Sequence, residues 1–178
     1  FVSEEDAPGE FFLTDSNPAL IPMEPYEALS VGDPELVWDG NFLLLFYTAR
    51  DETGAGRIGM AVSAREAPEF VKSEALTLAS TSDAVSYDAP SVVYRDGLWL
   101  LIVRATLSGG ATELRAFYTN DPGTRWERVI NGGLEQLTRV EDATSEITDP
   151  SLIIHNSAYH LYYARRTGTR WAVELAVS

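Results

Sequence analysis

Three acids stand just ahead of a proline and of an apolar run, as Asp33-Pro34, Asp88-Ala89-Pro90 and Asp149-Pro150, and Glu146 lies just ahead of the last pair. Carboxylates do chemistry when several converge. One can hold a proton for a leaving oxygen while another takes a proton from water or attacks directly, and a third can raise a neighbour's pKa by like-charge repulsion. Acids roughly 60 residues apart meet only if the fold repeats with that period and turns each copy towards a shared axis.

The sequence carries such a repeat. Val2-Ser3, Val62-Ser63, Tyr118-Thr119 and Val177-Ser178 mark one recurring phrase. Behind the first three stand a proline and an aromatic residue: Pro8 then Phe11, Pro68 then Phe70, Pro122 then Trp126. Pro90-Ser91-Val92-Val93-Tyr94 falls on Pro150-Ser151-Leu152-Ile153-Ile154 without a gap, which puts Trp99 on Tyr159. Pro34-Glu35-Leu36-Val37-Trp38 is the third copy. The repeats run over about 3–62, 63–118 and 119–178 within a single domain, 1–178.

Each unit reads as four short strands. The first is Leu36 to Trp38, Val92 to Tyr94 or Leu152 to Ile154, closed by the turn residues Asp39-Gly40-Asn41, Asp96-Gly97 or Asn156-Ser157. Phe42 to Tyr47, Leu98 to Val103 and Tyr159 to Tyr163 are nearly continuous apolar runs, too short for helices, as expected of strands buried on both faces. Third strands follow at Ile58 to Val62, Leu114 to Tyr118 and Ala172 to Val177, and a fourth begins near Phe70 and Trp126. The expectation is an all-β fold of β-propeller-type blades, each of four antiparallel strands, with three blade equivalents per chain. In that fold the first strand of each blade lines the central channel, so Asp33, Asp88 and Asp149, placed just before it, converge on one rim.

The third unit lacks a fourth strand, and the segment Phe11 to Leu13 is an unassigned copy of one. That N-terminal strand would complete the last blade and remove an exposed edge. Propellers typically carry about four to eight blades, so three imply a ring shared between chains, a longer parent chain, or an unusual three-blade closure. The first of these predicts a homo-oligomer, a dimer with a six-bladed ring.

Composition adds constraints. With 27 acidic against 13 basic residues the formal net charge is -14, which repels nucleic acid and anionic membrane and disfavours both as partners. No cysteine is present, so there is no disulfide, thiolate metal site or thiol nucleophile. The compartment stays open, with a secreted or periplasmic setting as the leaning. No apolar run is long enough for a transmembrane helix, and Phe1-Val2-Ser3 reads as a processed or trimmed start rather than a signal peptide.

Two resemblances follow from these residues. Thr119-Asn120-Asp121-Pro122-Gly123-Thr124-Arg125-Trp126 resembles the Asp box of sialidases, a hairpin in which the Asp accepts turn amides, the Gly takes a positive φ and the Trp packs beneath. The phrase from Asp33-Pro34-Glu35-Leu36-Val37 to Phe46-Tyr47-Thr48-Ala49-Arg50, repeated from Asp149-Pro150 to Tyr162-Tyr163-Ala164-Arg165, resembles the blades of the five-bladed propeller glycoside hydrolases that include arabinanases, β-xylosidases and invertases. The likeness covers nearly the whole chain at blade level.

That resemblance implies catalytic carboxylates at Asp33 as general base or nucleophile, at Asp88 as the group that orients the site, and at Glu146 or Asp149 as general acid, with Glu146 preferred for its chemical type. It implies a carbohydrate partner and no obligatory cofactor or metal, although calcium in the channel is compatible with the many oxygen ligands. Tyr87, Trp99, Tyr159 and Trp171 are the aromatic candidates for stacking on sugar, against a core role. His155 and His160 are not expected to face each other. The readings are a glycoside hydrolase, a propeller that binds carbohydrate without cleaving it, and a protein-interaction propeller.

Overall fold

A computed structural model describes residues 17–64, 69–79, 83–130, 133–142 and 144–178. After a short 3-10 turn, Pro25–Glu27, the first sheet is built in order from β1 (Ser30–Trp38), β2 (Phe42–Arg50), β3 (Gly56–Ala64) and β4 (Val71–Lys72). The second follows as β5 (Ala84–Arg95), β6 (Leu98–Leu107), β7 (Thr112–Thr119) and β8 (Glu127–Arg128). A single-turn helix, α1 (Leu134–Thr138), leads to the third sheet of β9 (Ser145–His155), β10 (Ala158–Thr167) and β11 (Arg170–Val177). Every named pairing is antiparallel. These are propeller blades, two of four strands and one of three among the described residues, and the first strand of the second blade packs against the first strands of both others. Phe11 to Leu13, the expected completing strand, lies outside the described residues.

The hairpin turns follow from their residues. Asp96 and Gly97 both take positive φ, 52° and 81°, the geometry that lets a two-residue turn match strand twist. At Asp39-Gly40 the aspartate instead accepts the Asn41 and Phe42 amides at 2.8 and 2.7 Å.

The first strands begin earlier than the apolar pattern suggests, and the acid-proline pairs lie inside them. In each, two residues face one on the neighbouring strand: Asp33-Pro34, Ala89-Pro90 and Asp149-Pro150 are β-bulges opposite Tyr47, Val103 and Tyr163. The residue before each proline is left-handed, with φ of 49° at Asp33, 49° at Ala89 and 51° at Asp149. Asp88 is therefore not the counterpart of Asp33 and Asp149, as its acidity had suggested. Ala89 is, and Asp88 aligns with Gly32 and Thr148.

Two cores lie between blades. Leu44, Phe46, Ile58 and Met60 of the first blade meet Val92, Trp99, Leu101 and Phe117 of the second, with Trp126 closing the gap. Ile102, Leu114 and Ala116 of the second meet Ile147, Leu152, Leu161 and Tyr163 of the third. On the far face of the first blade, Leu45, Tyr47 and Ala61 are covered by Leu20 and Tyr26. Glu27 locks this segment down: it is fully buried, pairs with Lys72 and accepts the Tyr47 hydroxyl and the amides of Met23 and Glu24. Burial by itself would raise its pKa, but these bonds win and hold the carboxyl at about 2.

The turn between β7 and β8 behaves as its residues suggest in two respects: Asp121 Oδ1 accepts the Gly123 amide at 3.0 Å, and Trp126 is fully buried beneath. Gly123, by contrast, is not among the positive-φ glycines; the turn is shaped by Asp121 together with the Thr119 and Thr124 hydroxyls, which both donate to the Asp121 carbonyl. The corresponding turn over 65–68 lies outside the described residues.

Candidate active site

The acids gather where β1, β5 and β9 begin, opposite the hairpin turns. Asp88, 2% exposed, is gripped side-on by the β6 arginine paired with it: Arg104 Nε donates to Oδ1 at 2.6 Å and Nη2 to Oδ2 at 2.8 Å. This two-pronged geometry is the strong form of the carboxylate-guanidinium bond. Arg50, at the end of β2, adds a third donor to Oδ2 at 3.2 Å. The remaining arm of Arg104 crosses to the third blade and donates to Glu146 Oε1 at 3.3 Å, while Arg166 holds Glu146 Oε2 at 3.3 Å. Asp88 and Glu146, on different blades, are thus joined through one guanidinium. Its pKa is raised, chiefly by the hydrogen bonds to Asp88 and against the cost of burial, with the charges of Glu146 and Asp33 adding.

Asp33 is exposed and held at its bulge by backbone geometry, within electrostatic reach of Arg104. Asp149 is exposed too, and its contact is local, with the Thr148 hydroxyl at 3.2 Å. Arg104 therefore bridges Asp88 and Glu146 directly, while Asp33 and Asp149 each stand exposed at a bulge.

The rim is stitched below the cluster. Glu35 Oε1 accepts the Ser91 hydroxyl at 3.2 Å, and the same Ser91 oxygen accepts the Leu152 amide at 2.9 Å. Glu35, Ser91 and Ser151 occupy one position in the three registers. Thr48 adds a second tie by accepting the Ala89 amide at 2.9 Å. These bonds fix the three first strands against one another and so fix the cluster.

Two aromatic candidates belong to the core. Trp99 is 3% exposed and wedged between Tyr94 and Phe46, at 4.6 and 6.1 Å between ring centres, so it has no face for a sugar. Tyr87 packs edge-on to Phe117 at 5.8 Å with its hydroxyl towards Arg115. Tyr159 is half-buried against the second inter-blade core. Trp171 is 52% exposed, beneath the Arg166 guanidinium at 5.7 Å. The rings of His155 and His160 do meet, edge to face at 5.5 Å, because a cross-strand diagonal brings them together. Among the described residues no group of three or more His, Cys, Asp or Glu side chains is disposed to hold a metal.

Arg104, Arg50, Arg166 and the Glu35–Ser91 stitch were not evident from the sequence. A charged residue breaking the apolar run of β6 was the one available signal, and it acquires meaning only once the register places it opposite Asp88.

No protein-family model and no curated protein matches this sequence. Solved structures do. The family 117 glycoside hydrolase Zg3597 of Zobellia galactanivorans is 18% identical with a TM-score of 0.63 over 86% of this chain and 54% of its own. The family GH32 β-fructofuranosidase BmSUC1 of Bombyx mori is 16% identical with a TM-score of 0.62, over 90% of this chain and 35% of its own. A thermostable family-43 glycoside hydrolase is 15% identical with a TM-score of 0.55, over 75% and 41%. The chain thus spans about half the length, or less, of these relatives, and its fold is that of the propeller glycoside hydrolases.

Proposed function

We propose that this chain, as one domain over 1–178, is a glycoside hydrolase-like propeller that acts on or binds carbohydrate through paired carboxylates. The reading rests on one observation above all: Arg104 ties Asp88 of the second blade to Glu146 of the third, at the end where Asp33 of the first also lies. Asp33, exposed on a rigid bulge, serves as general base or nucleophile. Glu146, with 36% of its side chain exposed, delivers the proton to the leaving oxygen. Asp88 is too buried to touch substrate and acts by orienting Arg104. The separation of the two working carboxylates in the substrate complex decides between inversion and retention. The solved relatives named as glycoside hydrolases support this assignment, and the formal charge of -14 favours a neutral sugar over nucleic acid or an anionic membrane.

The test is release of reducing ends from arabinan, xylan and mannan. Asp33→Asn and Glu146→Gln should each cut turnover by about 10²- to 10⁴-fold, with Asp149→Asn near wild type. Unchanged rates in the first two would sink the assignment. A second reading, binding without cleavage, is favoured by the arginines already occupying both oxygens of Glu146; saturable binding to the same panel with no product would select it. A homodimer sharing a ring is supported by the apolar face of the third blade, where Ile153, Tyr162, Val173 and Leu175 are exposed, and light scattering tests it.

A further inference from the structure

Glycine weakens a strand, because it surrenders more backbone freedom on folding than any other residue and offers no side chain to pack. Gly56, at the start of β3, has a packing reason for its place: a Cβ there would stand 2.5 Å from the Tyr87 carbonyl oxygen of the next blade. Gly32, inside β1, has no such reason. It is not among the positive-φ glycines, and a Cβ added to it would meet nothing within 4 Å among the described residues. The backbone at that address accepts side chains, since Asp88 and Thr148 hold the same register position in the other two blades, and in all three copies the next residue is left-handed. A strand glycine that neither conformation nor packing demands marks a place where something else comes close.

The neighbours of Gly32 are those of the candidate active site. Asp33 follows it and is exposed. Thr48 is paired with it across the sheet, and Arg50, two residues further along β2, lies on the diagonal. In the second blade the carboxylate at this address, Asp88, captures the arginine opposite it, Arg104. At position 32 no carboxylate competes for Arg50, whose Nη2 crosses to Asp88 at 3.2 Å and whose Nη1 meets the Gly54 carbonyl at 3.4 Å. Its Nε donates to nothing among the described residues, and 31% of its side chain is exposed. An exposed carboxylate, a guanidinium with a donor to spare and bare backbone between them suit a ring that carries hydroxyls. The hydroxyls exchange hydrogen bonds with both charged groups, and the C–H face of the ring lies against the glycine.

We propose that Gly32 is a specificity-determining residue of the carbohydrate site: its bare backbone admits the sugar ring presented to Asp33, and Arg50 donates to a hydroxyl oxygen of that ring. This rests on the carbohydrate reading of the same end of the molecule and adds to it the contact that selects the ring. A side chain as long as leucine at position 32 would occupy the space the ring needs while leaving Asp33, Asp88 and Glu146 unchanged. Selectivity by exclusion of this kind needs no new attractive contact.

Gly32→Leu and Gly32→Ala, made in the full chain, test this by calorimetric titration and initial rates on arabinotriose, xylotriose and mannotriose. For a sugar that the wild type binds or cleaves, Gly32→Leu should weaken affinity or raise KM at least about tenfold, and Gly32→Ala by less. Both variants should melt no lower than the wild type, because no packed neighbour is displaced. Gly109→Leu, which also enters open space, should leave binding unchanged. Wild-type affinity and KM in Gly32→Leu, or an equal loss in Gly109→Leu, would overturn the inference and leave the carbohydrate reading standing. A lower melting temperature in either Gly32 variant would overturn it too, since part of the chain rather than a ligand would then fill the space. A wild type that neither binds nor cleaves any of the three sugars would instead overturn the carbohydrate reading, and this inference with it.

Discussion

Asp88 has given up solvent for three guanidinium contacts, and that exchange governs what happens when it is altered. Asp88→Asn leaves Arg104 and Arg50 facing a neutral amide in a place with little water. Breaking one side of such a buried arrangement costs about 3 kcal/mol or more, so urea unfolding should show a loss of that order, together with reduced turnover because Arg104 no longer has a fixed orientation. An unchanged midpoint would mean that the arginines find water instead. Glu27 sets the acid limit of the fold. Its folded-state pKa is about 2 against an ordinary 4.5, so its contribution is fully present above pH 4.5 and is lost as the pH falls towards 2. The shift corresponds to on the order of 3 kcal/mol. Unfolding free energy measured across that window should fall steeply for the wild type and less for Glu27→Gln.

Strands and their bulges form the next level. A non-glycine residue in the left-handed region costs about 1–2 kcal/mol, and Ala89 has no side-chain role to set against that cost. Ala89→Gly should therefore stabilise the protein by up to about 1 kcal/mol, read from the thermal midpoint; destabilisation would show that the methyl group is held by its surroundings. Trp126→Ala should cost about 3–5 kcal/mol, because Phe46 loses the ring packed edge-on against it and a fully buried indole is removed from the first inter-blade core. The strand sequence was legible because apolar runs such as Phe42 to Tyr47 recur at a fixed period, and turn pairs such as Asp96-Gly97 carry their own geometry. The bulges were not. Sequence comparison matched Asp88 to Asp33 by chemical type, whereas the backbone matches Ala89 by position, and only pairing with β6 reveals the one-residue offset. Arg104 was obscured for the same reason: its meaning depends on the strand opposite. Trp99 misled because an aromatic at strand spacing reads alike whether it faces a ligand or the neighbouring sheet, and here it is sandwiched between Tyr94 and Phe46.

For the molecule as a whole, a formal charge of -14 accompanies blade interfaces that are apolar. Self-repulsion at low salt should therefore weaken the assembly of blades more than any single contact. Raising ionic strength from roughly 0.01 to 0.15 M shortens the screening distance from about 30 to about 8 Å. The melting temperature should rise across that range, since the Asp88–Arg104 pair is shielded from the added ions by burial; a fall would mean that exposed ion pairs outweigh the repulsion.

The offset in each first strand also divides labour within a module. Below the kink and past the Glu35, Ser91 and Ser151 position, every copy is apolar, as Leu36-Val37-Trp38, Val92-Val93-Tyr94 and Leu152-Ile153-Ile154. Above it, Glu146 stands where the other two copies have Ser30 and Ser86, and Gly32, Asp88 and Thr148 share one address yet all differ in kind. A duplicated scaffold with such a joint can be re-lettered at its mouth without disturbing its body, so new ligand preferences on this architecture are reachable by changes confined to a handful of addresses above the joint.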